Sequence, residues 1–176
     1  EPALWLEYER LAFRSLERWL DAGHGSRALL RPEARAALAE QFAYFDGVRY
    51  ALGCYVIMPN HVHAVVRPLP NVGRDSNPDS VPGSRDGYPD LHRLEGLVGT
   101  WKRRSARVID TGWQDETHDR IVRDVEELYR TVNYIEDNPA KAGCDGVFWL
   151  SDAWKNVGRD RNPDQVRESR DSYPDL

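Results

Sequence analysis

Residues 49–67 constrain this chain more than any other stretch. Residues 49–57 (Arg-Tyr-Ala-Leu-Gly-Cys-Tyr-Val-Ile) form an apolar, aromatic and β-branched run. Met58-Pro59-Asn60 interrupts it with turn-forming residues, and residues 61–67 resume it. Two such runs across so short a break specify a β-hairpin, because the turn brings the second strand back beside the first.

The flanking sequence changes period. Across residues 3–20, Trp5, Tyr8, Leu11, Ala12, Leu16, Trp19 and Leu20 recur at helical spacing, with Gly23 and Gly25 as punctuation. Pro32 suits the first turn of a second helix through Ala37, Leu38 and Phe42, which Gly47 stops. A third helix is predicted over 91–108, where Leu94, Val98, Trp101, Ser105 and Val108 share one face. Residues 115–122 read as a further strand. Asp124 with Glu127 three positions on resembles a capping box, opening a helix through Leu128, Val132 and Ile135 that Pro139 ends. The expected class is α+β: a small antiparallel sheet of ferredoxin-like or RNA-recognition-motif character, with helices packed on one face.

One domain is expected over residues 1–155, carrying two appendages. Residues 71–91 and 156–176 match at 16 of 21 aligned positions, and both are rich in Gly, Pro, Asp, Asn and Ser. Neither holds a sustained period, so both are expected to be disordered, one as an insertion and one as a tail. Together they carry −3 of the net charge of −5, which leaves −2 on the remainder. No run approaches the roughly 18 apolar residues of a membrane span. The chain does not open with a charged and then apolar leader. Two cysteines, Cys54 and Cys144, are too few for a disulfide framework, so a reducing cytoplasm is expected.

Three groups of residues can carry chemistry. His61 and His63 lie two apart on a strand and so point to one side, as half of a metal site would. Alone, the pair reads equally well as two hydrogen-bonded histidines on a sheet. Tyr134 and Asn138 are four apart and stack on one helix face. Alone, Tyr134 reads as an amphipathic residue at the edge of the core, and Asn138 before Pro139 as a helix terminator. Lys102, Arg103, Arg104 and Arg107 put four positive charges within six residues, which more often marks a solvated helix face than a binding patch.

In order along the chain, these features resemble one family. Tyr55-Val56-Ile57-Met58-Pro59-Asn60-His61-Val62-His63 looks like the HUH strand of REP-associated single-tyrosine transposases, U being a bulky hydrophobic residue. Residues 134–143, Tyr-Ile-Glu-Asp-Asn-Pro-Ala-Lys-Ala-Gly, look like that family's tyrosine helix. Trp101-Lys102, Trp113-Gln114, the run 119–124 and Trp149 to Ala153 match its intervening and closing segments. The resemblance covers roughly residues 16–154, with 71–91 as an insertion.

The resemblance implies metal-dependent cleavage and strand transfer of single-stranded, hairpin-forming repetitive DNA through a 5′-phosphotyrosine. Tyr134 takes the nucleophile position. His61, His63 and Asn138 take the ligand positions for Mg²⁺ or Mn²⁺. Trp101, Lys102, Arg103, Arg104 and Arg107 are expected to contact DNA by stacking and phosphate binding. Departures accompany the match. Members usually begin with a strand ahead of the first helix, whereas this sequence opens within its first helical stretch, and His118 stands where an aromatic is usual, as a further ligand or a packing residue. Two alternatives stay open: another HUH endonuclease, such as a replication initiator or relaxase, and a non-catalytic nucleic-acid-binding remnant.

Overall fold

The computed structural model describes residues 2–71, 91–110, 112–115 and 117–155. The proposed disorder of 71–91 and 156–176 falls almost wholly outside them. Among the described residues four α-helices accompany a three-stranded antiparallel sheet: α1 (Pro2–Asp21), α2 (Pro32–Tyr44), β1 (Tyr50–Ile57), β2 (Val62–Pro68), α3 (Leu94–Ile109), α4 (Val125–Lys141) and β3 (Val147–Leu150). The strand order is β2-β1-β3, so β1 is central. The class is α+β, as the periodicities predict.

The hairpin supplies the central strand β1 and its outer neighbour β2. β1 and β2 pair from Tyr50 opposite Pro68 to Ile57 opposite Val62, and the register slips by one between Leu52 and Cys54. The residue passed over is Gly53, and Trp154 accounts for its identity: a Cβ there would lie 2.3 Å from the indole. The slip also sorts the side chains of β1. Tyr50, Leu52, Tyr55 and Ile57 join one apolar cluster with α2 and α3, while Cys54, Val56 and Met58 join a second with α4. Where the sequence led to helices on one face, α2 and α3 take that face and α4 joins from the other.

An aromatic knot fastens the first cluster. The Tyr50 hydroxyl donates to the Phe42 carbonyl at 2.7 Å and accepts from Trp101 Nε1 at 3.0 Å. Phe42 meets the Trp101 ring edge-on at 5.0 Å, and Tyr50 meets it edge-on at 5.3 Å. Both geometries suit the ring quadrupoles, and both buried polar tips are satisfied. Trp101 is 7% exposed. The stacking role expected for it does not fit this burial: the indole is packed against Phe42 of α2 and Tyr50 of β1. Lys102, its neighbour, turns outward and donates to the carbonyls of Gln114 and Asp115.

Two element predictions also change. Residues 115–122 contain no strand among those described; Arg120 instead pairs with Glu127, beside the start of α4. The third strand is Val147–Leu150, too short to carry an alternation signal, and its pairing partner β1 defines it. Pro139 does not end α4, which continues to Lys141 because the next amides in the chain find acceptors: Ala142 N–H donates to Asn138 and Cys144 N–H to Pro139. The N-terminus behaves as predicted. Asp124 accepts from the Glu127 amide at 2.7 Å, and the Glu127 carboxylate returns to the Arg123 amide at 2.8 Å.

α1 docks chiefly through its C-terminal half. Leu4, Trp5, Tyr8 and Leu11 remain exposed, Trp5 at 63%. Its final turn, by contrast, is held over the turn between β1 and β2.

Trp101→Ala is expected to cost about 3–5 kcal/mol in chemical denaturation, the range for deleting a buried indole. A base-stacking surface residue would cost less than about 0.5 kcal/mol. A loss of that smaller size would contradict the knot.

Candidate metal and tyrosine site

His61 immediately precedes β2 and His63 is its second residue, so both imidazoles leave the same side of the hairpin. Their Nε2 atoms are 3.1 Å apart, with the rings nearly perpendicular. α4 approaches this side of the sheet. Its Tyr134 ring lies edge-on to His63 at 5.6 Å between centroids. Asn138, one turn further on, is 2% exposed, and its amide makes no close hydrogen bond, the Tyr134 hydroxyl being its polar neighbour on the helix. His61, His63 and Tyr134 thus lie around one place, with Asn138 beside Tyr134 on α4.

α1 adds two carboxylates that sequence reasoning missed. Asp21 Oδ1 lies 3.7 Å from His61 Nε2 and makes no hydrogen bond. Glu17, one turn earlier, accepts a hydrogen bond from the Tyr134 hydroxyl. Their four-residue spacing puts them on one helix face. That acidic pair was readable in the sequence, but nothing local said which element the face would meet.

Burial governs the electrostatics. Desolvation lowers His61 to about 4 and His63 to about 3, the latter pushed further by His61 itself. Both imidazoles are therefore neutral at physiological pH, each able to offer a lone pair. Tyr134 is pushed well above the usual phenol range by burial first, then by the charges of Glu17 and Asp21 and the hydrogen bond to Glu17; Asn138 pulls weakly the other way. Glu17 is itself raised, by desolvation and by Asp21, against the opposing effect of the Tyr134 hydrogen bond. The phenol accordingly holds its proton at neutral pH beside a carboxylate that is more basic than usual.

The donors suit a divalent cation in kind. Two ligands at about 2.1 Å from an octahedral ion and 90° apart lie about 3.0 Å from each other, close to the 3.1 Å between the imidazole nitrogens. The buried Asn138 oxygen is a hard donor of the type such ions accept. Among the described residues, no three His, Cys, Asp or Glu side chains gather closely enough to enclose an ion by themselves. A cation here would rest on the imidazole pair and the amide, with Asp21 beside them.

The remaining candidates lie elsewhere. Arg103, Arg104 and Arg107 line a shallow depression with Gln41, between α3 and α2, and Arg104 stacks 4.0 Å over the Tyr44 ring. α3 packs on the sheet face opposite to α4, so this cluster is not brought to Tyr134. His118 sits against Phe13, ring centroids 5.3 Å apart, in a packing contact.

No protein-family model and no solved structure significantly matches the chain. It is similar to an uncharacterized protein of Haemophilus influenzae (strain ATCC 51907 / DSM 11121 / KW20 / Rd), at 26% identity over 108 residues. That match covers 56% of this chain and 55% of the relative, so the chain spans about half the length of the curated protein it matches. Among the described residues no helix is long and apolar enough to cross a membrane.

A pH dependence follows from the buried imidazoles. In the unfolded chain they titrate near 6.5, and in the folded chain near 4 and 3. Below about pH 6.5 the unfolded state binds more protons, so stability that is fully present above that pH declines as pH falls towards 4. Denaturant midpoints measured with a chelator present should drop across this window. The drop should shrink in a His61→Gln/His63→Gln variant, and an equal drop in both proteins would refute the burial effect.

Proposed function

We propose that this chain acts as a divalent-cation-dependent nuclease and strand transferase on single-stranded DNA, of the single-tyrosine HUH transposase kind. The observation that carries the reading is the meeting of Tyr134 with the His61–His63 pair: a phenol on a helix, two neutral imidazoles on a strand, and 5.6 Å between the Tyr134 and His63 rings. The motif resemblance supplies the substrate class, hairpin-forming repetitive DNA.

The residues divide the chemistry as follows. His61, His63 and Asn138 would hold the cation, Mg²⁺ or Mn²⁺, which when bound polarises the scissile phosphate and offsets charge on its oxygens. Glu17 takes the phenolic proton, for which burial has raised its affinity. The Tyr134 oxygen attacks phosphorus, a new P–O bond forms, and the bond to the 3′ oxygen breaks. That oxygen leaves with a proton from solvent, giving a free 3′-OH and a 5′-phosphotyrosine. Attack by a 3′-OH on the phosphotyrosine restores a phosphodiester, and Glu17 returns the proton to the phenol. Because each step exchanges one phosphoester for another, joining needs no nucleotide cofactor.

A non-catalytic nucleic-acid-binding role is favoured by one observation. The cationic cluster Arg103, Arg104 and Arg107 lies on the far face, while Tyr134 is faced by two carboxylates, Glu17 and Asp21, and by one cation, Lys141, 5.7 Å from its ring centroid.

Incubation with Mn²⁺ and a single-stranded hairpin oligonucleotide decides between the two. Wild-type protein should form a denaturant-resistant adduct, and Tyr134→Phe should form none while binding DNA nearly as well. Binding without adduct in the wild type would leave the non-catalytic role. Glu17→Gln should slow adduct formation by roughly 10²-fold or more, the usual worth of a positioned general base. An unchanged rate would remove Glu17 from the mechanism.

A further inference from the structure

Asn60 occupies the turn between the strands, where asparagine is usually explained by its tolerance of left-handed backbone. That explanation does not apply here. Among the described non-glycine residues only Asp110 has a positive φ. Its identity is explained instead by its side chain, which makes three hydrogen bonds. Nδ2 donates to the Leu20 carbonyl at 2.8 Å and to the His24 carbonyl at 2.7 Å. Oδ1 lies 2.8 Å from His61 Nδ1.

The two carbonyls settle the orientation of the amide, since only its nitrogen can donate to them. Oδ1 must then face His61 as an acceptor, and His61 Nδ1 must carry the proton. A neutral imidazole with Nδ1 protonated has its lone pair on Nε2. That atom is the one 3.1 Å from His63 Nε2 and 3.7 Å from Asp21 Oδ1. The carbonyls belong to the end of α1 and the turn after it; that of Leu20 also accepts from the Gly23 amide at 2.8 Å, so Asn60 takes its second lone pair. The same stretch of α1 carries Glu17 and Asp21.

We propose that Asn60 is a positioning residue with two linked tasks. Its oxygen holds His61 in the tautomer that presents Nε2 to the site, and its nitrogen ties the end of α1, with Glu17 and Asp21, over the same pair. The part concerning a cation rests on the reading of His61 and His63 as ligands; the tautomer and the tie do not.

The two tasks separate by substitution. Asn60→Asp keeps an oxygen for His61 Nδ1–H but has no donor for the α1 carbonyls, whereas Asn60→Ala loses both. Long-range ¹H–¹⁵N spectra of histidine-labelled protein, free of metal and DNA at neutral pH, report the tautomer; a His61→Ala spectrum identifies the signals. Amide hydrogen exchange reports the α1 end. Asn60→Ala is expected to shift His61 Nε2 towards the protonated position and to lower protection at the end of α1 by ~10-fold or more. Asn60→Asp should keep the wild-type tautomer and show the same loss of protection. Mn²⁺ affinity should fall ~10–100-fold in Asn60→Ala, as for other residues that orient a ligand, and recover in Asn60→Asp.

If Asn60→Ala does not fold, Asn60→Asp decides alone: tautomer kept with protection lost supports the proposal, and any other combination overturns it. Unchanged tautomer and protection in a folded Asn60→Ala also overturn it. Wild-type protein that binds no Mn²⁺, with tautomer and exchange as expected, sinks the nuclease reading and leaves the role of Asn60 standing.

Discussion

The central strand β1 is sandwiched, and the rest of the structure depends on how it is buried. A strand covered on both faces must offer apolar side chains at successive positions, and β1 does so from Cys54 through Ile57. The one-residue slip at Gly53 decides which side chain goes to which face, because strand side chains alternate and a shift of one inverts them. Trp154 lies against that glycine and closes the second cluster. Two packing surfaces back to back let α2 and α3 build a core on one side while α4 brings Tyr134 to the other.

That division explains why the candidate site is assembled where the hairpin turns. The imidazoles leave β2 at its first residues, beside the turn, and α4 crosses the same face of the sheet. α1 is anchored to the turn itself through Asn60, while Pro59 accepts from the Leu29 amide at 3.1 Å. The turn therefore joins segments well separated in sequence. Its hydrogen bonds hold the end of α1 beside the imidazoles, and reactions at phosphorus are sensitive to such positioning.

The electrostatics of the site follow from its dryness rather than from net charge. Burial keeps the histidines neutral and the phenol protonated. A free cation would meet lone pairs and nearby carboxylates, while an incoming phosphate would meet those same carboxylates with Lys141, 5.7 Å from the Tyr134 ring centroid, as a single positive charge beside them. The basic residues of α3 stand across the sheet, beside Gln41 and Tyr44. A phosphate backbone contacting both regions would have to wrap around the domain, and charge alone would not guide it to Tyr134.

The sequence by itself determined the hairpin, four helices, the cap at Asp124, the shared side of His61 and His63, and the shared helix face of Tyr134 and Asn138. All of these are set by spacing along a single element, where period 2 or 3.6 dictates which residues face together. Tertiary structure alone decided the rest. It paired Val147–Leu150 with β1, left 115–122 without a strand, and buried Trp101 against Tyr50 although the residue sits in a cationic helix. It also carried Glu17 and Asp21 to Tyr134 and His61, and gave Asn60 its three partners. Contacts between residues 40 or 117 positions apart leave no periodic trace, because each partner's local environment is satisfied by many alternative neighbours. Only packing against the two faces of β1 selects among them.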